Sequence, residues 1–337
     1  MTAGFTELLP LIWAVIIGVA VAFYVILDGF DLGVGILFPF AKDDAERDRM
    51  LAAITPYWDG NETWLVLGGG GLLVAFPRAY AIIMPAFYLP ILVMLLALVL
   101  RGVTFEFRAL AQNKSLWNVA FAAGSTVAGL CQGIVLGGLI DGVHVENGAF
   151  AGGALDWATP FGLLCGLGVV SGYALLGATW LMLKTDGDMA QRAVARAKIA
   201  LLAMLAFMAA VSLYTPFAIP RIAHRWFTMP NLLYLAPVPI VTALIAFLQW
   251  RWIAERRDVL PFFAGVALFL LGYLGLAISN YPYLVPTALT FWQAAAAPSS
   301  QTFMLIGTLV LLPAILGYTA FVYWLFRGKV RDGAAYH

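Results

Sequence analysis

Residues Pro56–Gly71 read PYWDGNETWLVLGGGG, and they sit in a chain that is otherwise almost without charge. Two carboxylates, Asp59 and Glu62, stand three residues apart where an apolar, glycine-rich run begins. Whether that run is a soluble core helix or a membrane span decides the fold. Hydrophobic residues make up 63% of the 337, charged ones 11%, and the mean hydropathy is +0.91. A soluble domain covers itself with polar surface and is nearer ~25% charged. Runs of about 20 apolar residues, each enough to cross a hydrocarbon core of ~30 Å, recur along the chain. The sequence is therefore that of a polytopic membrane protein, and Pro56–Gly71 belongs to one of its spans.

Nine spans are expected, near Leu8–Phe40, Met50–Phe76, Ala79–Leu100, Trp117–Ile140, Ala158–Leu183, Ile199–Phe217, Leu232–Trp250, Val259–Ile278 and Thr302–Phe326. The fold class is all-α: a single transmembrane helix bundle over residues 1–337, with no soluble domain. The longest outer loops, Asp141–Trp157 and Ser279–Gln301, are too short to fold alone. Orientation follows from Lys and Arg, which favour cytoplasmic loops. One alternate set of loops holds Lys42, Arg47, Arg49, Arg101, Arg108, Lys114, Lys184, Arg192, Arg196, Lys198, Arg251, Arg256, Arg257, Arg327, Lys329 and Arg331, which is 16 of the 19 basic residues. The other set holds Arg78, Arg221 and Arg225. The N-terminus is expected outside and the C-terminus in the cytoplasm. The first apolar run is expected to be retained, because neither a basic n-region nor a small-residue cleavage site precedes Leu8.

With that orientation, Asp59 and Glu62 are expected about three turns into the second span, on its inner half. Their i, i+3 spacing places them on one helix face. The first span carries VILDGFDLGVG, with Asp28 and Asp31 again three apart and at comparable depth. Gly29, Gly33 and Gly35 on one helix, and Gly60 with Gly68–Gly71 on the other, would let the two approach closely. An ionised carboxylate at mid-membrane costs at least ~2.5–3.5 kcal/mol, so four together require cations or protons. Arg101 in LVLRGVTFEFR is the nearest cation, followed by Glu106 and Arg108. Repulsion among the acids should raise some pKa values toward neutrality. Two readings stay open. The acids are structural, one pairing with Arg101 and another capping broken turns near Gly60. Or they form a proton or cation path, which four acids on facing helices favour. Trp58 and Trp64 are expected to pack or anchor, and Asn61 to hydrogen-bond an acid.

Other chemistries find little support. A net charge of +1 gives no reason to expect nucleic acid, and Cys131 and Cys165 lie in apolar runs, which argues against a disulfide framework or a Cys-based metal site. No catalytic group and no metal site are expected on this chain. The histidines are His144, His224 and His337, all outside the expected spans. A membrane haem is commonly held by helix-borne His or Met, so a bis-His haem on this chain is not expected.

The ordered motifs LDGFDLGVGIL, PYWDGNETW and LVLRGVTFEFR resemble those of subunit II of the cytochrome bd-type quinol oxidases, including the cyanide-insensitive branch. The resemblance is carried by roughly the first 110 residues. It implies a nine-helix, haem-free subunit of the bacterial inner membrane, paired with a homologous subunit I. That partner binds the haems, b and d-type, and the quinol, and reduces dioxygen to water. The resemblance also implies a proton route through the acid of the WDGN motif, here Asp59, and matches the GFD acid to Asp31, with Asp28 before it. Read from the residues themselves, the protons are expected to come from the cytoplasm, with Glu62, Asp28 and Asp31 as neighbours of Asp59 and Arg101 and Glu106 tuning their charge. Some members hold a structural quinone in subunit II, for which no residue signature stands out here, and small accessory subunits occur. Tyr57 stands where some relatives have His, so Tyr57 or a water must replace any relay by that His. Two rivals remain at this point: a stand-alone transporter or channel using the same acids, and a self-contained haem oxidase subunit. The absence of an inverted repeat weighs against the first, and the histidine distribution against the second.

Overall fold

The computed structural model describes residues 3–330; Arg331 and His337 lie outside them. The described chain is a helix bundle. Its helices are α1 (Ala3–Leu37), α2 (Asp44–Ala52), α3 (Trp58–Ala75), α4 (Pro77–Ala86), α5 (Tyr88–Leu110), α6 (Ser115–Asp141), α7 (Pro160–Lys184), α8 (Gly187–Ala218), α9 (Pro220–Phe227), α10 (Asn231–Leu235), α11 (Pro237–Ala254), α12 (Leu260–Asn280), α13 (Phe291–Ala294) and α14 (Pro298–Leu325). Two small hairpins interrupt the helices: β1 (Val145–Glu146) with β2 (Ala149–Phe150), and β3 (Tyr283–Val285) with β4 (Leu289–Thr290). Eight of the helical segments are long and apolar enough to cross a membrane. The helix α3 is not among them, because its first two turns are polar, although its 18 residues reach about 27 Å.

Prolines set two boundaries away from the sequence expectation. Pro56 disfavours helix at Thr55, so the chain passes from α2 through turns and α3 starts only at Trp58. Asp59 and Glu62 thus sit in the first two turns of α3, not three turns into a longer helix. The expected third span divides at Phe87, between Pro85 and Pro90, where the missing N–H of Pro90 releases a backbone bond. The longer half, α5, continues to Leu110, which puts Arg101 inside a helix instead of at its end.

The central post is α7, packed on α1, α6 and α8, while α1 also lies along α3. Among the eight apolar segments α7 is the most buried and α14 the least. Glycine brings the post to its neighbours. A Cβ on Gly33 would fall 1.8 Å from the Tyr173 carbonyl oxygen, and one on Gly133 would fall 2.5 Å from Gly166 Cα. Gly29 and Gly35 likewise face Tyr173 of α7 and Ser125 of α6. The GFDLGVG glycines therefore serve the α1–α7 and α1–α6 contacts, not the α1–α3 contact expected from sequence. On α3, Gly68 and Gly71 do approach Val21 and Ile17 of α1, whereas Gly60, Gly69 and Gly70 face open space.

Charges gather at one end of the bundle. Glu46 on α2 is buried beneath Arg192 (2.9 Å) and Arg196 (3.3 Å) of α8 and accepts the Lys42 amide. Arg108 bridges to Asp48 at 2.5 Å and to Asn118, and Lys329 reaches Asp186 and Asp258. At the opposite end, Arg221 and Arg225 donate to the carbonyls of Ser279, Ile278 and Tyr281 at the finish of α12, and Arg78 donates to the Gln293 carbonyl. These three minority cations are thus held by carbonyl oxygens, a favourable use of cations at a helix C-terminus.

Burial by itself would raise the affinity of Glu46 for a proton, but the Lys42 amide and the two guanidiniums outweigh it and hold the carboxyl below its ordinary range. A depressed folded-state value means that the stabilisation is complete above the unfolded carboxylate pKa of ~4.3 and is lost as pH falls through the folded one. Thermal stability measured in detergent from pH 7 down to pH ~3 should therefore drop along an acid limb that Glu46→Gln flattens. An unchanged acid limb in that variant would refute the assignment.

Candidate functional site

Three helices, α1, α3 and α5, supply the charged core of the buried polar centre. On α1, Asp28 and Asp31 occupy one face and are fully buried. Arg101 arrives from α5, also fully buried, and Asn61 and Glu62 arrive from the start of α3. Arg101 Nη1 donates to Asp28 Oδ1 at 2.7 Å and to Glu62 Oε1 at 3.1 Å. Its Nη2 stands 4.0 Å from Asp31 Oδ2, close enough for charge attraction but too long for a hydrogen bond. Asp31 is held instead by Asn61, whose Nδ2 donates to Asp31 Oδ2 at 2.7 Å and to the Leu27 carbonyl at 3.2 Å.

One guanidinium thus faces three carboxylates in a low-dielectric interior. Such a cluster is tolerated only because every acid has the same cation or a neutral donor beside it. Asp28 Oδ2, Asp31 Oδ1, Arg101 Nε and Arg101 Nη2 have no hydrogen-bond partner among the described residues. The Glu62 side chain is the one member with access to the outside, at 26% exposure. It joins the buried group to the open face of α3.

Asp59 and Glu106 are placed elsewhere. Asp59 lies on the exposed face of α3, in its first turn, and Glu106 lies on an exposed face of α5. Neither contacts Arg101. The tryptophans pack: Trp58 stacks on Phe105 at 4.6 Å and Trp64, fully buried, stacks on Phe23 at 4.6 Å. Tyr57 points away from the acids. Its hydroxyl donates to the Phe326 carbonyl at 2.6 Å and accepts from Lys184 Nζ at 2.8 Å, so it fixes the end of α14.

Polar side chains beyond the sequence motifs complete the centre. Tyr24 lies one turn before Asp28 on α1; Gln132 Nε2 donates to its hydroxyl at 2.8 Å, and Tyr173 donates to Gln132 Oε1 at 2.5 Å. An amide within an apolar span, as at Gln132, is a signal that sequence can offer. Tyr323 offers none: a lone tyrosine in an apolar helix reads as packing, yet its hydroxyl donates to Asn61 Oδ1 at 3.0 Å, 262 positions away.

Comparison with known proteins agrees with this architecture. The cytochrome bd-I ubiquinol oxidase subunit 2 of Escherichia coli strain K12 is 29% identical over an alignment of 374 positions, gaps included, covering 96% of each chain. The probable cytochrome oxidase subunit 2 of Haemophilus influenzae is 31% identical over an alignment of 363 positions, again covering 96% of each. In three dimensions the chain superposes on a chain of the bd oxidase from Geobacillus thermodenitrificans with a TM-score of 0.77, over 94% of this chain and 98% of that one; at 18% identity this is a likeness of fold. With its eight apolar segments, this is a multi-pass protein of the bacterial inner membrane and a subunit of an oxidoreductase complex. The model of one family, cytochrome bd terminal oxidase subunit II, matches residues 9–326, from the second turn of α1 through the whole of α14, and the chain belongs to that family.

Proposed function

We propose that this chain is the haem-free subunit of a quinol:oxygen oxidoreductase, that it stabilises a haem-bearing subunit I, and that it conducts protons from the cytoplasm for the reduction of dioxygen to water. The observation that carries the proton reading is Glu62, which touches the buried Arg101 on one side and the open face of α3 on the other. Protons would enter by exposed Asp59, pass to Glu62 and reach the Asp28–Arg101–Asp31 group. The partnerless polar atoms of that group suit water, which buried polar sites commonly hold and which proton transfer between carboxylates requires. Haem b and d-type haem are assigned to the partner, because His144 and His224 lie in β1's approach and in α9, and no described apolar segment carries a histidine. A structural quinone and small accessory subunits are compatible with the exposed apolar faces but have no residue of their own here.

In the same reading α3 is the ninth span and the charged end of the bundle is cytoplasmic, so the N-terminus is outside. Proton uptake from the cytoplasm, with quinol oxidised outside, then stores energy without a pump, since each charge moved is worth ~2.3 kcal/mol per 100 mV. The transporter reading has no observation in its favour.

The test starts with a reduced-minus-oxidised spectrum of the tagged chain purified from its own membranes, where haem b and d bands and a second subunit are expected. In that complex Asp59→Asn should slow oxygen uptake about 100-fold or more, the lower end of the range of proton-transfer catalysis, with haem content unchanged. Wild-type turnover would remove Asp59 from the path.

A further inference from the structure

We propose that Tyr323, on the last helix, is a positioning residue for Asp31, acting through Asn61. Three observations carry this. First, Asp31 is not oriented by Arg101, whose nearest nitrogen is 4.0 Å away; among the described residues the Asn61 amide supplies the hydrogen bond to its carboxylate, at 2.7 Å. Second, the Asn61 amide has a single satisfactory orientation. Its nitrogen faces two acceptors, the Asp31 carboxylate and the Leu27 carbonyl, and its oxygen faces the Tyr323 hydroxyl, which can donate. Turning the amide over would set its oxygen against two acceptors.

Third, Tyr323 is among the few residues by which α14 enters the bundle. Most of that helix is exposed, yet the Tyr323 ring is half-buried against Tyr57 at 4.7 Å, Trp180 at 6.3 Å and Phe30 at 6.4 Å. The ring is fixed by aromatic packing and the hydroxyl is aimed at Asn61. The far end of α14 is held independently: Gln301 Nε2 donates to the Ala75 carbonyl at 3.0 Å and Trp13 Nε1 donates to the Gln301 carbonyl at 3.1 Å. Loosening the helix and cutting its link to Asp31 are therefore separable changes.

The link itself does not depend on what Asp31 does; its consequence for turnover rests on the proton-path reading. The experiment is a double-mutant cycle in the assembled oxidase, with Tyr323→Phe and Asp31→Asn alone and together, and Gln301→Leu as the control that loosens α14 at its far end, away from Asn61. Thermal stability is read as loss of haem absorbance, and turnover as oxygen uptake over a range of pH. Tyr323→Phe and Asp31→Asn are expected to be non-additive in stability, whereas Gln301→Leu and Asp31→Asn add. Tyr323→Phe should also lower turnover about fivefold, the scale of one hydrogen bond, and alter the pH profile, with no further effect in the Asp31→Asn background. Additive stability for Tyr323→Phe and Asp31→Asn overturns the proposal whatever the turnover. Non-additive stability together with wild-type turnover and pH profile in Asp31→Asn upholds the link and overturns the proton role of Asp31.

Discussion

Arg101→Met is expected to abolish accumulation of the complex in the membrane. The guanidinium is fully buried and is the cation shared by Asp28, Asp31 and Glu62. Methionine fills similar volume, so the loss is electrostatic: removing one partner of a buried ion pair costs about 3–5 kcal/mol, and here three acids lose it at once. That is a large share of the ~5–15 kcal/mol by which domains are stable. Arg101→Lys should recover only part, because a compact ammonium cannot set one nitrogen on Asp28 and Glu62 while a second faces Asp31. Neutralising an acid should compensate, so Arg101→Met with Asp28→Asn is expected to accumulate better than Arg101→Met alone. Haem content per membrane protein measures each step. Normal accumulation of Arg101→Met would mean that the acids are held neutral or paired without it.

The second large effect falls on a single added methyl group. In Gly33→Ala the new Cβ lies 1.8 Å from the Tyr173 carbonyl oxygen and 2.7 Å from the Gly177 nitrogen, both backbone atoms of α7. Backbone cannot turn aside as a side chain can, so α1 and α7 must separate by more than 1 Å. That would disturb the stacking of Phe30 on Trp180 at 4.0 Å and shift Asp31, two residues before Gly33. Overpacking of this kind costs about 1–3 kcal/mol and more where rigid groups meet; the upper part of that range is expected, read as a lowered unfolding temperature with reduced turnover. Gly69→Ala is the contrast, because nothing lies within 4 Å of its added methyl and alanine favours helix by about 1 kcal/mol. A severe loss in Gly69→Ala would place the partner subunit against that face of α3.

Much of this was legible along the chain because it rests on local rules. Helices span the apolar runs since a bilayer offers no partner for free backbone groups, and the paired acids of VILDGFDLGVG and WDGNETW stand out since charge is rare in such company. Asn61 reads as a donor to an acid, and it is one. The boundary errors also have local causes: Pro56 and the Pro85–Pro90 pair end helices inside runs whose hydropathy continues. Asp59 and Glu62 are three residues apart, yet one faces outward and the other reaches Arg101. Helix rotation separates them, and spacing within one helix carries no information about what lies opposite.

By itself the sequence determined that the fold is a bundle of apolar helices and that carboxylates gather within it, both of which follow from hydropathy and from the cost of charge in hydrocarbon; it counts nine spans where eight described segments are long and apolar enough to cross a membrane. Only the tertiary structure decided which glycines meet which helix, that Arg101 serves three acids while Asp59 and Glu106 stand apart, and that Tyr323 holds Asn61 from 262 positions away. Contacts between helices depend on their rotation and depth, which are set by packing across the whole bundle and leave no mark in the neighbourhood of any one residue.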